Sequence, residues 1–330
     1  MQNDKIFVLV LTLEQYQNTT LLSQSICGRT MGEWVNQAVA PFKSKVVTVS
    51  PEDDIMTMFK QNITPATYTV ITYVDMPLLT TEDILDAVDY CFHKNVPALK
   101  LPRGWVFNTN LVAESENFPV TEFNAAKTQN YQVAFNNSQI AKIRTIMQER
   151  INQQHLKNGV VMTDPAHTYI DATVQLHAGV TLEPNVHLCG KTIIHEGTVI
   201  LDGCRIEDTT IGQNSQIGPN AHLRPNSSIG NHCRIGNYVE VKRSRIGDNS
   251  KVAHMTYVGD TTIGKDCNVG CGVIFCNYNG KTKSNTIVGD GAFIGSNSCL
   301  IAPLEVGAKT YIAAGSVITE ALPNNALGIA

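Results

Sequence analysis

A mixed α/β domain followed by a left-handed parallel β-helix of hexapeptide repeats is the architecture that this 330-residue sequence predicts. Two observations carry the prediction. From Ile170 to Ile318 one aliphatic residue recurs at nearly every sixth position, and before Gly159 apolar runs of strand length alternate with segments of helical period.

In the first half, Lys5–Thr12, Lys45–Ser50 and Tyr68–Val74 are apolar, β-branched runs and read as strands. Thr81–His93, after the Pro77 turn, has helical spacing. A longer amphipathic helix covers about Ser138–Lys157, with Ile140, Ile143, Met147 and Ile151 on one face. Asn137 stands where it can cap the start of that helix, and Gly159 where it can end it. The helix divides the chain into a first domain (1–137), a linker helix (138–159) and a repeat domain (160–330).

The repeat runs unbroken from Ile170 through Leu176, Leu182, Leu188, Ile194 and Ile200 to Ile206. A five-residue step leads to Ile211, and the series continues through Leu223 and Ile235 to Val241. Further five-residue steps reach Ile246 and Ile263. After an insertion that follows Phe275, the series closes with Val288 to Ile318. No α-helix has this period, and small residues follow many of the aliphatics, as in Ile211-Gly212 and Ile312-Ala313. Both features are those of a solenoid whose triangular coil takes about 18 residues. Cys204, Cys233 and Cys267 each fall four places after a hexad aliphatic, where a small inward side chain fits, so they read as packing residues.

Composition excludes several classes. Lys+Arg minus Asp+Glu is 25 − 29 = −4, so no global basic field invites a nucleic-acid partner. The longest apolar run, Ile6 to Leu11, is too short for membrane insertion, and no secretory cleavage pattern is visible. The expectation is a soluble cytoplasmic protein. Nine cysteines without a Cys-x-x-Cys pair suit neither a small disulfide scaffold nor a structural zinc site.

The repeat also serves as a ruler, because residues one coil apart stack. Arg224 and Lys242, 18 apart, would form a cation pair suited to a phosphate, or only a solvated face. Asn237, His254 and Cys271, at intervals of 17, form a second column, and Glu240 and Tyr257 share a third. A histidine among such neighbours can act as a general base. The insertion Cys276-Asn-Tyr-Asn-Gly-Lys-Thr-Lys-Ser284 leaves the coil where a site or interface could be built. His177 and His195, also 18 apart, could stack and hold zinc as in β-helical carbonic anhydrases, but the third position of that column, Gln213, is no histidine.

His254-Met-Thr-Tyr257-Val-Gly-Asp260, Leu223-Arg-Pro225, Tyr238-Val-Glu-Val-Lys242 and Cys276-Asn-Tyr-Asn-Gly280 lie in the repeat domain. Together they resemble the acetyltransferase domain of the bifunctional N-acetylglucosamine-1-phosphate uridyltransferase/glucosamine-1-phosphate acetyltransferase (GlmU) family, from Gly159 to the C-terminus. The resemblance implies a glucosamine-1-phosphate N-acetyltransferase of the UDP-N-acetylglucosamine and peptidoglycan precursor pathway. In that reading His254 is the base, held or polarised by Glu240, and Asn277 orients the imidazole or the amine. Arg224, Lys242, Tyr257, Asn268 and Lys283 would bind the amino-sugar 1-phosphate. Cys271, with its backbone N–H near the expected oxyanion, Tyr278, Ser296 and Ala314 would contact acetyl-CoA. The resemblance also implies a homotrimer with acetyl-CoA between adjacent helices. Cys271 departs from the family, which commonly has Ala there.

Residues 1–158 resemble the uridyltransferase domain of the same family more thinly, as a truncated, degenerate nucleotidyltransferase-like and Rossmann-like unit. Tyr73-Val-Asp-Met-Pro-Leu-Leu79 and Phe135-Asn-Asn137 are similar to its metal-binding segments, which implies Asp75 and Asn136 as Mg²⁺ ligands if the domain is active. Ile26-Cys-Gly-Arg-Thr-Met31 is similar to the stretch after its nucleotide loop. The loop itself is missing: Leu13-Glu-Gln-Tyr-Gln-Asn-Thr-Thr-Leu21 contains no Gly, Arg or Lys to receive a triphosphate. Uridyltransferase activity is therefore expected to be lost. The competing expectations are a bifunctional enzyme that still binds UTP and a non-catalytic trimeric scaffold.

Overall fold

The computed structural model describes residues 3–16, 20–113 and 117–330. Two compact units emerge, Met1–Met147 and Gln148–Ala330.

The first unit is built on strand β1 (Ile6–Leu13), buried from Ile6 to Leu11. Alternate residues of β1 serve the two faces of one sheet. Ile6, Val8 and Val10 pack with Val35, Val39 and Ile84, while Phe7, Leu9 and Leu11 pack with Phe59 and Phe107. Helices α1 (Met31–Val39), α2 (Ile55–Gln61) and α3 (Thr81–Lys94) follow strands as the pattern predicts. Each is started by a side-chain cap: Thr30 with Glu33, Asp54, and Thr80 with Asp83. The remaining strands are β2 (Lys43–Val49), β3 (Tyr68–Tyr73), β4 (Ala98–Lys100), β5 (Trp105–Asn108) and β6 (Val120–Glu122), in the order β2-β1-β3-β5-β4-β6. The sheet is mixed, because β5 runs antiparallel to both of its neighbours.

The long helix spans Asn137–Lys157. Its start corrects the sequence reading by one residue. Asn136, not Asn137, is the cap, its Oδ1 accepting from the Gln139 N–H at 3.0 Å. Gly159, at φ +88°, ends it as expected. Within the second unit, Ile151 and Leu156 pack against the apolar core, and buried Asn152 donates to the carbonyls of Pro165 and Thr168.

That core is the inside of a parallel β-helix of three sheets. The first face runs from Val161–Met162 to Leu327–Gly328, the second from Tyr169–Ile170 to Val317–Ile318, the third from Gln175–Leu176 to Leu304–Val306. The hexad aliphatics point inward and are buried, with only Leu176 half-exposed. Four places on, small residues fill the inside of the corners: Cys204, Cys233 and Cys267 among them, with Thr198, Ser215 and Ser250. Their hydroxyls donate to carbonyls of the coil, so the polar atoms are not left unpaired. Burial pushes the thiols of Cys204 and Cys233 up to about 11, which fits packing rather than redox chemistry. Glycine is needed where coils approach most closely: a Cβ on Gly236 would lie 1.7 Å from the Ala253 carbonyl oxygen.

Candidate active site

One corner of the solenoid carries the column that holds His254. Val252, Val269, Ile294 and Ile312 are register partners on the first face, and Ile235 precedes them. Two residues after each of these stand Asn237, His254, Cys271, Ser296 and Ala314. A backbone ladder holds the five one above another: Met255 donates to Asn237 O, Gly272 to His254 O, Asn297 to Cys271 O and Gly315 to Ser296 O. Of these five side chains His254, Cys271, Ser296 and Ala314 are exposed, so the column lines an open edge.

His254 Nδ1 lies 3.0 Å from Asn237 Oδ1. An amide oxygen only accepts, so this contact places the ring proton on Nδ1 and leaves the lone pair on Nε2. The hydrogen bond that holds His254 is made with Asn237 and not, as one expectation had it, with Glu240, whose carboxylate is taken by Arg224, Nη1 to Oε1 at 2.8 Å. The reason is register, since Glu240 lies on the second face directly opposite His222, beside Arg224.

Across the Met255-Thr256 turn, the second face gathers the cations. Leu223 pairs with Val241, which sets Arg224 and Lys242 side by side as the ruler predicts. Glu240 and Tyr257 are partners on adjacent coils, again as expected. Arg224 first, then burial and Lys283, hold the Lys242 ammonium below its usual range. Such a cluster of like charge favours a bound anion. Lys283 reaches this group on the insertion, a small hairpin in which Tyr278 bridges to Lys283 and Asn279 Oδ1 accepts from the N–H groups of Lys281 and Thr282.

Three residues at this site had no role in the sequence reading. Asp260, almost buried, accepts from Arg243 through two bonds of 2.6 and 2.8 Å and from Asn277 Nδ2 at 2.5 Å. Those bonds keep its carboxyl below the usual range. Asn277, itself only 7% exposed, is thus turned by Asp260, with its Nδ2 3.5 Å from the Tyr257 hydroxyl and no hydrogen bond to His254. Gly259 makes this packing possible, because a Cβ there would fall 2.5 Å from the Tyr257 hydroxyl and 2.7 Å from Asn277 Nδ2. The Tyr257-Val-Gly-Asp260 run carried the signal for Gly259 and Asp260; Arg243 had none. Asn268 lies on the first face, exposed, between Lys251 and Phe293, away from the cations of the second face.

Two further sequence candidates are resolved by geometry. The His177 and His195 rings do stack, with centroids 4.6 Å apart, but among the described residues no cluster of three or more His, Cys, Asp or Glu forms a metal site. In the first unit, Asp75 is fully buried and its oxygens receive Arg103 Nε (3.0 Å), Arg103 Nη2 (2.5 Å) and the Tyr16 hydroxyl (2.7 Å). Asn136 spends its Oδ1 on the helix cap. The two residues expected to hold Mg²⁺ therefore do not fit that ion, since their charge and donors are already committed. The segment expected to lack a nucleotide loop includes Gln17, Asn18 and Thr19, which lie outside the described residues.

The three-sheet coil and its repeat define a hexapeptide-repeat β-helix protein. Residues 285–320 match the family described as hexapeptide repeat of succinyl-transferase, and 205–300 the GMPPB C-terminal domain. Among curated proteins, the chain is 44% identical over 208 residues to the bifunctional protein GlmU of Clostridium tetani, covering 58% of this chain and 46% of that one. The corresponding figures are 47% over 201 residues for GlmU of Levilactobacillus brevis (56% and 44%) and 47% over 207 for that of Listeria innocua (58% and 45%). Over that stretch the chain is similar to GlmU, and it spans less than half the length of these relatives. The solved structures matched include LpxA from Bacteroides fragilis, a UDP-N-acetylglucosamine acyltransferase, at 19% identity and a TM-score of 0.33 over 50% of this chain and 64% of that one.

Proposed function

We propose that the chain is an N-acetyltransferase that moves acetyl from acetyl-CoA to the amine of an amino-sugar 1-phosphate, glucosamine 1-phosphate being the substrate to try first. The observation that supports this most is the juxtaposition at one corner. A histidine with its lone pair set on Nε2 stands in a column with Cys271, Ser296 and Ala314, and a cluster of cations lies one turn away.

The chemistry follows from those residues. Arg224, Lys242 and Lys283 receive the sugar phosphate, which relieves the repulsion around Lys242. His254 Nε2 takes a proton from the substrate ammonium, since only the neutral amine has a lone pair with which to attack. The amine nitrogen bonds to the thioester carbonyl carbon, and the tetrahedral intermediate collapses by breaking the C–S bond. The CoA thiolate leaves and takes the proton held on His254 Nε2, and the freed imidazole accepts the second proton of the nitrogen and passes it to solvent. Asn277, turned by Asp260 and beside Tyr257, presents its carbonyl oxygen away from Asp260 and so offers an acceptor to a substrate N–H or O–H. Tyr278, on the hairpin, and Asn268, on the first face, complete the proposed set.

The working form in this reading is a cytoplasmic homotrimer. Outward-facing Ile274, Cys299 and Val317 form an apolar column on the second face, suited to a second copy of the chain. No helix among the described residues is long and apolar enough to cross a membrane. The first unit is read as having lost uridyl transfer, for want of cationic or glycine-rich phosphate contacts between Leu13 and Leu21. The test is acetyl-CoA-dependent formation of the N-acetylated sugar phosphate, together with UTP titration. Product formation with no UTP binding supports both parts; Mg²⁺-dependent UTP binding would overturn the second. Absence of product with every amino-sugar phosphate tried would favour a non-catalytic scaffold.

A further inference from the structure

At the aspartate that follows the central strand β3, where a divalent cation was expected, this chain carries its own cation. We propose that Arg103 is the resident positive charge of the first unit, that it closes the Asp75 carboxylate to metal ions, and that whatever the unit binds it binds without one.

The argument starts from burial. A carboxylate with no exposed surface is costly unless its charge is paired and its lone pairs are used. Asp75 has both: Arg103 meets it side-on through Nε and Nη2, and the Tyr16 hydroxyl supplies a third donor. Arg103 is held in turn by two rings. Its guanidinium carbon lies 4.2 Å from the centroid of Tyr73 and 5.4 Å from that of Phe135, an arrangement that suits a delocalised planar cation and would not suit a hydrated ion. Mg²⁺ demands octahedral oxygen ligands and keeps several waters. Here it would have to displace a two-point ion pair from a buried carboxylate, or else sit against a fixed guanidinium charge. The second expected ligand, Asn136, is engaged in starting the long helix. Sequence position adds to the case: Arg103 lies on the turn between β4 and β5, which returns the chain to the end of β3 where Asp75 follows. The inference does not depend on the acetyltransferase reading, because none of these residues belongs to the β-helix.

Manganese is the probe, detected by electron paramagnetic resonance on the full chain. The expected result is that wild type and Asp75→Asn show the same free-Mn²⁺ signal at every metal concentration. Arg103→Leu, which removes the charge and keeps most of the bulk, should gain one Mn²⁺ site that disappears again in Arg103→Leu/Asp75→Asn. Arg103→Lys, still cationic, should gain none. Circular dichroism establishes that each variant is folded. A wild-type site abolished by Asp75→Asn overturns the proposal outright. A folded Arg103→Leu chain that gains no Asp75-dependent site overturns the role given to Arg103. If Arg103→Leu does not fold, the wild-type and Asp75→Asn comparison still decides whether the carboxylate is closed.

Discussion

At the scale of single residues, the proposed base is set by a neighbour one coil away. Asn237 accepts from His254 Nδ1 and so fixes which nitrogen is basic. Asn237→Ala should lower kcat about tenfold, with little change in KM for the sugar phosphate; a raised KM with kcat unchanged would mean that Asn237 binds substrate instead. In the proposed reaction Asp260 acts through Asn277, which donates to it. Asp260→Asn removes the charge that holds Arg243 and turns Asn277, and kcat/KM should fall by about 10–100-fold as measured by initial rates. The same residue has a pH signature. Its carboxyl is depressed in the folded chain by Arg243, so the stability it contributes is present above its ordinary value near 4 and is lost as pH falls through the folded value. Thermal melts from neutral pH into the acid range should therefore fall less steeply for Asp260→Asn than for wild type. The interval of 17 between Asn237 and His254 made that pair legible in the sequence. The Glu240 pairing was not, because a resemblance names site residues without saying which of them touch, and here Arg224 takes the carboxylate.

At the scale of elements, the coil is the most predictable part of the molecule, because each hexad repeats one packing solution. Every hexad aliphatic from Leu182 to Ile318 faces the same interior. Ile294→Ala should cost about 2–5 kcal/mol in denaturant unfolding, since the stacked coils above and below cannot collapse into the space. Gly236→Ala should do at least as much harm, by clash rather than cavity, given the Ala253 carbonyl 1.7 Å from the added carbon. The first unit was less legible. Its long strands β1 and β3 announced themselves by apolar runs, whereas β4 and β6 are only three residues each and carry no period of their own. They are strands because β5 offers an edge to β4, and β4 in turn to β6. Asn136 is another case: adjacent asparagines look alike in a sequence, and only the bond to Gln139 distinguishes the cap.

At the scale of the whole molecule, the two units make opposite uses of positive charge. In the β-helix three cations, Arg224, Lys242 and Lys283, crowd together with one carboxylate, Glu240, on Arg224, and in the proposed reaction they receive an anion; in the first unit the single Arg103 is paired at two points with the buried Asp75. Acetyl transfer should accordingly be indifferent to chelators: saturating EDTA should leave the rate unchanged. The measurement that tests the central claim most directly is acetyl-CoA turnover with glucosamine 1-phosphate, following both thiol release and the mass of the N-acetylated sugar phosphate, in wild type, His254→Ala and Cys271→Ala. Wild type and Cys271→Ala should form product, and His254→Ala should lose about 10²–10⁴-fold in kcat. Thiol release without N-acetylated sugar, or a His254→Ala chain as fast as wild type, would contradict the account.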